Sequence, residues 1–341
     1  MSTSPLDITP EAKAFHDECI VADMHADTWL VEYLFGYDIR KRHRSYIPRN
    51  PFFNHIDIPR ATEGGLNITG QGVVTHPFRP GSCFIRGAAM INRIRKGISR
   101  NMGSMALVVT AREAREAVAS KKIAVFIGVE GAHALSGRID ALEHYYSKGA
   151  RYLTITHFSA NEAGFSSNDT ANADQGLTQW GKDLVREIGN LRMMIDIAHL
   201  APGCFWDVMR MVKRPVIASH IGMRALNDHW RNLDDDQVRA IAQGGGVIGI
   251  MFQPSFLSKH FWLCSLDTVI EHFEHCMEIA GEDHVGLGSD WDGFITTPIG
   301  LEDVTGLPRI TQRLLERGHS KETVRKVLGL NFLRVFEAVC G

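Results

Sequence analysis

Short runs of apolar and β-branched residues recur along the chain, separated by stretches whose apolar positions repeat every three or four residues. The runs fall at 20–27, 67–76, 122–130, 151–157, 193–199, 215–220, 246–252 and 284–290. Most are apolar at successive rather than alternate positions, as expected of parallel strands covered on both faces. Amphipathic helices are predicted between them at 110–120, 139–148, 179–190, 202–212, 234–243 and 266–280. Thr110, Asp234 and Ser265 stand where helix N-caps belong, and Gly149 and Gly281 where helices stop.

Strand–helix alternation of this kind gives a parallel sheet. Eight units in 341 residues leave about 43 residues each, enough for strand, helix and loops of a closed (β/α)8 barrel. The rival is an open doubly wound sheet. It lacks support, because no G-x-G-x-x-G follows the first strand and no G-x-x-x-x-G-K-[ST] occurs; the glycines at 244–246 precede a strand. With no short repeat and no Pro/Ser-rich linker, residues 1–341 read as a single domain.

Composition narrows the function classes. Hydrophobic residues make up 44% and charged residues 22%, which excludes a disordered chain. Lys plus Arg (37) nearly balances Asp plus Glu (39), so charge alone would not gather nucleic acid or an anionic membrane. The first twenty residues are polar and lack a secretory pattern. No apolar run approaches the ~18 residues of a membrane span, and no apolar C-terminal tail invites a lipid anchor. The six cysteines are scattered without a C-x-x-C pair and read as free thiols. A cytoplasmic protein without a membrane anchor is expected.

The chemistry collects at the strand ends: His25 and Asp27, Glu130, His157, His199, His220 and Asp290. In a parallel barrel all strands finish at one face, so these residues converge there, where barrel enzymes keep their sites. Residues two apart on a strand point the same way, letting His25 and Asp27 hold one cation. Imidazole and carboxylate without thiolate suit an open site for a divalent first-row metal, most commonly zinc. Five or six such ligands argue for two ions, with Glu130 placing one oxygen on each and His199 and His220 completing the second. Two ions sharing a hydroxide would clamp an attacking and a departing oxygen. Singly, each residue has a plainer role: a strand-end histidine bonded to backbone, or Asp290 capping a turn beside Asp292. Their joint placement favours the functional reading.

These segments resemble the renal (membrane) dipeptidase family, the M19 peptidases of the amidohydrolase superfamily. The likeness rests on Asp23-Met-His-Ala-Asp27, Gly128-Val-Glu-Gly131, Leu153-Thr-Ile-Thr-His157, Ile195-Asp-Ile-Ala-His199, Ser219-His220, Arg231-Asn232, Gly286-Leu-Gly-Ser-Asp290 and Gly329-Leu-Asn-Phe-Leu-Arg-Val335, covering nearly the whole chain. It implies a dipeptidase acting through a hydroxide on a binuclear zinc centre. His25 and Asp27 would bind one Zn2+, His199 and His220 the other, and Glu130 would bridge. His157 would contact the scissile carbonyl or oxyanion, Arg231 would hold the substrate's terminal carboxylate, and Asp290 would move the proton. L-Xaa-D-Xaa substrates and a homodimer are also implied. Two departures stand out: Trp230 precedes Arg231 where relatives commonly carry proline, and Asn161-Glu-Ala-Gly164 replaces a usual polar run. The alternatives are a sister amidohydrolase acting on N-acyl amino acids or lactones, against which Glu130 stands in place of a carboxylated lysine, and a non-catalytic metal- or ligand-binding barrel.

Overall fold

The strand–helix alternation closes on itself in the computed structural model, which describes residues 7–75 and 80–341. The strands are β1 (Val21–Ala26), β2 (Leu66–Val74), β3 (Met105–Leu107), β4 (Ile123–Glu130), β5 (Ala150–Thr154), β6 (Met194–Asp196), β7 (Ile217–Ile221), β8 (Val247–Ile250) and β9 (Val285–Leu287). All pair in parallel, and β2 pairs with β4 as well as β1, so the ring runs β1–β2–β4–β5–β6–β7–β8–β9 and back to β1. That is a TIM-type (β/α)8 barrel. The unexpected β3 lies beside Ile123–Val125 of β4, below the point where β5 joins at Ile127.

Each expected strand has a counterpart, although His76 lies outside the described residues. Three ends need correction. β5, β6 and β9 stop at Thr154, Asp196 and Leu287, three residues before His157, His199 and Asp290. Beyond β6 the backbone turns to loop partners, His199 O accepting from Thr156 Oγ1 and Ser167 N, whereas Asp290 N still donates to His25 O of β1 past the end of β9. His199 and Asp290 take left-handed φ angles of 63° and 61°, a region His and Asp tolerate better than most residues.

The predicted helices form at Ala111–Ala119, Asp140–Ser147, Gln179–Asn190, Pro202–Met211, Asp235–Gln243 and Leu266–Ala280. Thr110 and Asp234 cap theirs by accepting from the N–H groups of Glu113 and Gln237. The pattern missed Cys83–Arg100, where basic residues dilute the apolar signal, yet Met90, Ile91, Ile94 and Ile98 form one buried stripe. It also missed Asn331–Cys340, whose Phe332 and Phe336 plug the barrel floor. Phe332 stacks on Phe126 of β4 at 4.8 Å, within an inner core that includes Met24, Ile68, Tyr152 and Met194. A larger apolar layer fills the space between strands and outer helices. All six cysteines are free thiols. Among the described residues, no helix is long and apolar enough to cross a membrane.

Candidate active site

At the C-terminal mouth of the barrel two strands depart from regular pairing beside a histidine. β1 carries an extra residue between Asp23 and Ala26 relative to β2, and β7 carries one between Ala218 and Ile221 relative to β8. Such bulges re-aim side chains. They bring the His25 and His220 rings into a stack with centroids 4.1 Å apart. Asp27, at the N-cap of Thr28–Phe35, reaches His25 from there, with Oδ1 3.7 Å from His25 Nε2. The expected convergence of this pair therefore occurs, through a bulge and a cap rather than through strand alternation.

Glu130, the last residue of β4, stands between two sets of groups. Its Oε2 lies 3.6 Å from His25 Nε2. Its Oε1 lies 3.1 Å from His199 Nε2, 3.4 Å from His220 Nε2 and 3.7 Å from His157 Nε2. His199 Nε2 and His220 Nε2 are 3.0 Å apart. Asp290 Oδ1 lies 3.9 Å from His25 Nε2. The structure thus gathers His25, Asp27, Glu130, His157, His199, His220 and Asp290 around one point, and all of these but His25, together with Arg231, line a cavity of about 570 Å3.

Behind the ring nitrogens lies a supporting layer. Asp196 takes hydrogen bonds from Thr154 Oγ1 (2.6 Å), Ser219 N (2.9 Å) and Ser219 Oγ (2.7 Å). Ser219 spends its only proton on Asp196, so it accepts from His220 Nδ1–H at 2.8 Å, and His220 Nε2 is left as a bare acceptor facing the site. Asp23 is held likewise by Ser289 N (2.8 Å) and Ser289 Oγ (2.5 Å), tying β1 to the loop after β9. Tyr152 Oη sits 2.7 Å from His25 Nδ1. Gly128 makes room for that ring, since a methyl group there would lie 1.7 Å from Tyr152 Cζ. The sequence reading gave Tyr152, Asp23 and Asp196 no role. For Asp23 and Asp196 a signal was present, because each places an acid in a largely apolar strand.

Three carboxyls share this buried mouth, and their ionisation is disfavoured. Burial, then Asp292, pushes Asp27 up to about 7. Burial, then Asp27 and Asp290, holds Glu130 well above the usual carboxylate range. Asp290 is raised by burial and Asp27, against the pull of Arg231. Burial, then Arg231, brings His25 down to about 3, and burial also keeps His199 and His220 neutral. Multivalent positive charge is what such a cluster lacks.

The spacing of the donor atoms suits a cation. Ligand atoms about 2.0–2.2 Å from a tetrahedral ion lie roughly 3.3–3.6 Å from one another. The separations around each Glu130 oxygen are close to that. Moreover, buried His25 Nε2 and Asp27 Oδ1 have no hydrogen-bond partner among the described residues. The residues fit metal, and His/Glu/Asp groups able to hold it overlap across the site.

Arg231 is buried, and its Nη2 donates to His220 O at 2.9 Å. Its Nε and Nη1 find no partner among the described residues. Burial brings it down to about 10, with Asp290 and Glu130 opposing. Trp230 turns instead toward His229 and Phe256, leaving Arg231 in the cavity wall. Residues 161–164 close a tight bridge anchored by Asn161 Nδ2 on Ile155 O. Asp292 accepts from Thr28 Oγ1 and His55 N and faces away from the cavity. His55, a loop histidine in sequence, is a buried tie between the 50–57 and 290–296 segments.

Residues 9–340 match the family described as Membrane dipeptidase (Peptidase family M19). The chain belongs to that family. Among curated relatives of this M19 chain, Dipeptidase verJ of Clonostachys rogersoniana is 34% identical over 244 residues, 71% of this chain and 62% of the relative. An uncharacterised dipeptidase of Schizosaccharomyces pombe is 36% identical over 220 residues, 63% of this chain and 53% of the relative. The matched stretches thus span little more than half of those relatives. A crystal structure of dipeptidase AC, a family M19 metallopeptidase, superposes with TM-score 0.85 at 29% identity, covering 95% of this chain and 99% of that one. A Rhodobacter sphaeroides metallopeptidase, bound to a phosphinate mimic of L-Ala-D-Ala, gives TM-score 0.85 at 27% identity, covering 94% and 99%.

Proposed function

We propose that this chain, as a single barrel domain, is a zinc-dependent dipeptidase cleaving dipeptides that carry a free C-terminal carboxylate, L-Xaa-D-Xaa pairs included. The observation that carries the reading is the division of Glu130, one oxygen toward His25 and the other toward His199 and His220. His25 and Asp27 would hold one Zn2+, His199 and His220 a second, with Glu130 shared. Bound there, the ions would supply a water ionised near neutral pH and a Lewis-acid grip on the carbonyl oxygen.

The remaining steps belong to side chains. His157, whose Nε2 lies 3.7 Å from Glu130 Oε1 at the rim of the cluster, would donate to the carbonyl oxygen as negative charge develops on it. Asp290 takes the proton of the attacking water and returns it to the departing amine, which as an amide anion would be a very poor leaving group. Arg231 offers two unspent donors, Nε and Nη1, to a carboxylate, a match that its planar fork makes in two parallel hydrogen bonds. Fixing the substrate's end there limits it to very short peptides. The stereochemical proposal is supported by the L-Ala-D-Ala mimic bound to the Rhodobacter sphaeroides relative.

The test is a library of L-Xaa-L-Xaa and L-Xaa-D-Xaa dipeptides, incubated with zinc-loaded protein and read by released amino acid. Hydrolysis with kcat/KM above about 10^4 M−1 s−1 for preferred members is expected. Silence on every dipeptide, with turnover of N-acyl amino acids or lactones, would move the chain to a sister amidohydrolase.

A further inference from the structure

Beside the ligand cluster, the cavity wall of Leu30, Leu34, Val74, Phe294 and Ile295 is apolar and carries an aromatic rim that folding does not explain. Phe294 is 41% exposed and held at a φ of 61°, a conformation that disfavours a bulky side chain. An exposed apolar ring on a strained backbone is unfavourable twice over, and such positions cluster at functional sites. The neighbouring 49–54 segment keeps it there: Phe52 N donates to Ile295 O at 2.6 Å, and Thr297 N donates to Arg49 O at 3.2 Å. The Phe294 ring meets Phe35 at 6.2 Å, and Phe35 stacks on Phe53 at 4.8 Å although it is itself 55% exposed. Leu34, also exposed, joins Phe294 in the cavity wall.

Ring order places this rim relative to the substrate. Arg231 follows β7, whereas Leu30 and Leu34 follow β1 and Val74 ends β2, directly across the eight-strand ring from β7. Phe294 follows β9, beside β1. With a carboxylate at Arg231, a first residue lying toward the β9–β1–β2 side of the mouth would meet Leu34 and Phe294. Among the described lining residues on that side, the charged ones are Asp27 and Asp290, and both turn toward His25.

We infer that the Leu34–Phe294 wall is a specificity subsite that selects dipeptides whose N-terminal residue bears a large apolar side chain. The inference deepens the dipeptidase reading and rests on it. The strained ring supplies a preformed apolar face, and a small or charged first side chain would leave that face wet or leave a charge without a partner.

The experiment compares kcat/KM of the zinc-loaded enzyme for Phe-Ala, Leu-Ala, Gly-Ala, Glu-Ala and Lys-Ala, in wild type and in Phe294→Asn. Asparagine tolerates the left-handed backbone, so the variant should fold, and Leu34→Ser on the exposed helix end gives a second probe. Wild type is expected to favour Phe-Ala over Gly-Ala by at least about tenfold, the scale of apolar-pocket discrimination, and each variant to bring that ratio toward unity. Equal use of all five dipeptides by wild type, or an unchanged ratio in both variants, overturns the subsite while leaving the dipeptidase reading intact. Variants that alter self-association by sedimentation and not the ratio would assign the rim to a protein contact instead. Failure of wild type to cleave any dipeptide overturns both readings.

Discussion

Tyr152→Phe removes one oxygen from the floor of the site and leaves every proposed ligand in place. With His25 Nε2 given to a cation, Nδ1 would carry the proton and donate it to Tyr152 Oη across 2.7 Å. Both groups are fully buried, and water cannot replace the lost acceptor without opening the barrel. A buried donor left unpaired costs about 1–3 kcal/mol. Loss of an outer partner of a metal-bound histidine weakens metal binding by about 10–100-fold. The two figures agree, since tenfold corresponds to about 1.4 kcal/mol. The assay is competition for zinc between apo protein and a chromophoric chelator, which resolves two stoichiometric steps if two ions bind. Only the step involving His25 should weaken. Equal weakening of both steps, or of neither, would refute the claim that Tyr152 orients one ligand. Gly128→Ala, which drives a methyl group into the same ring, should shift the same step, with added loss of stability from overpacking.

Other expectations follow from the same geometry. Asp290→Asn should keep its metal but lose about 10^2–10^4-fold in kcat; near-normal turnover of the metal-loaded variant would remove Asp290 from proton transfer. Arg231→Met should raise KM for free dipeptides much more than for their C-terminal amides, and an equal effect on both would contradict carboxylate anchoring. In the metal-free protein, the stability of wild type relative to Asp27→Asn should fall from about pH 5 to 8. Burial lifts Asp27 to about 7, so the folded chain holds a proton that the unfolded chain has already released, and that stability is lost as pH rises through the folded value. His25, brought down to about 3, has the opposite sign, gaining stability as pH rises through the unfolded value near 6.5, but it is common to both proteins and cancels in the difference. Zinc should therefore raise the melting temperature more at pH 8 than at pH 6.5, and the reverse order in a thermal-shift series would count against Asp27 as a ligand.

The barrel was legible because its strands are apolar on both faces, a pattern that a one-sided sheet does not produce. The convergence of His25, Glu130, His199 and His220 followed from parallel strands sharing one end. What escaped is instructive. The bulges in β1 and β7 leave no sequence trace, so regular alternation predicted the right contact between His25 and Asp27 for the wrong geometric reason. His157, His199 and Asp290 sit three residues beyond their strands because regular pairing ends at Thr154, Asp196 and Leu287, a boundary that apolar periodicity cannot register. Arg231 was reached only through family likeness, since a loop arginine carries no signal of burial. Asp23 and Asp196 were visible as acids within apolar strands, yet only the serines facing them explain why they are there.

The most direct measurement is anomalous scattering at the zinc edge from crystals of protein loaded with zinc. Two peaks are predicted, one between His25 and Asp27 and one between His199 and His220, with Glu130 separating them. A single peak, or density elsewhere on the molecule, would contradict the account.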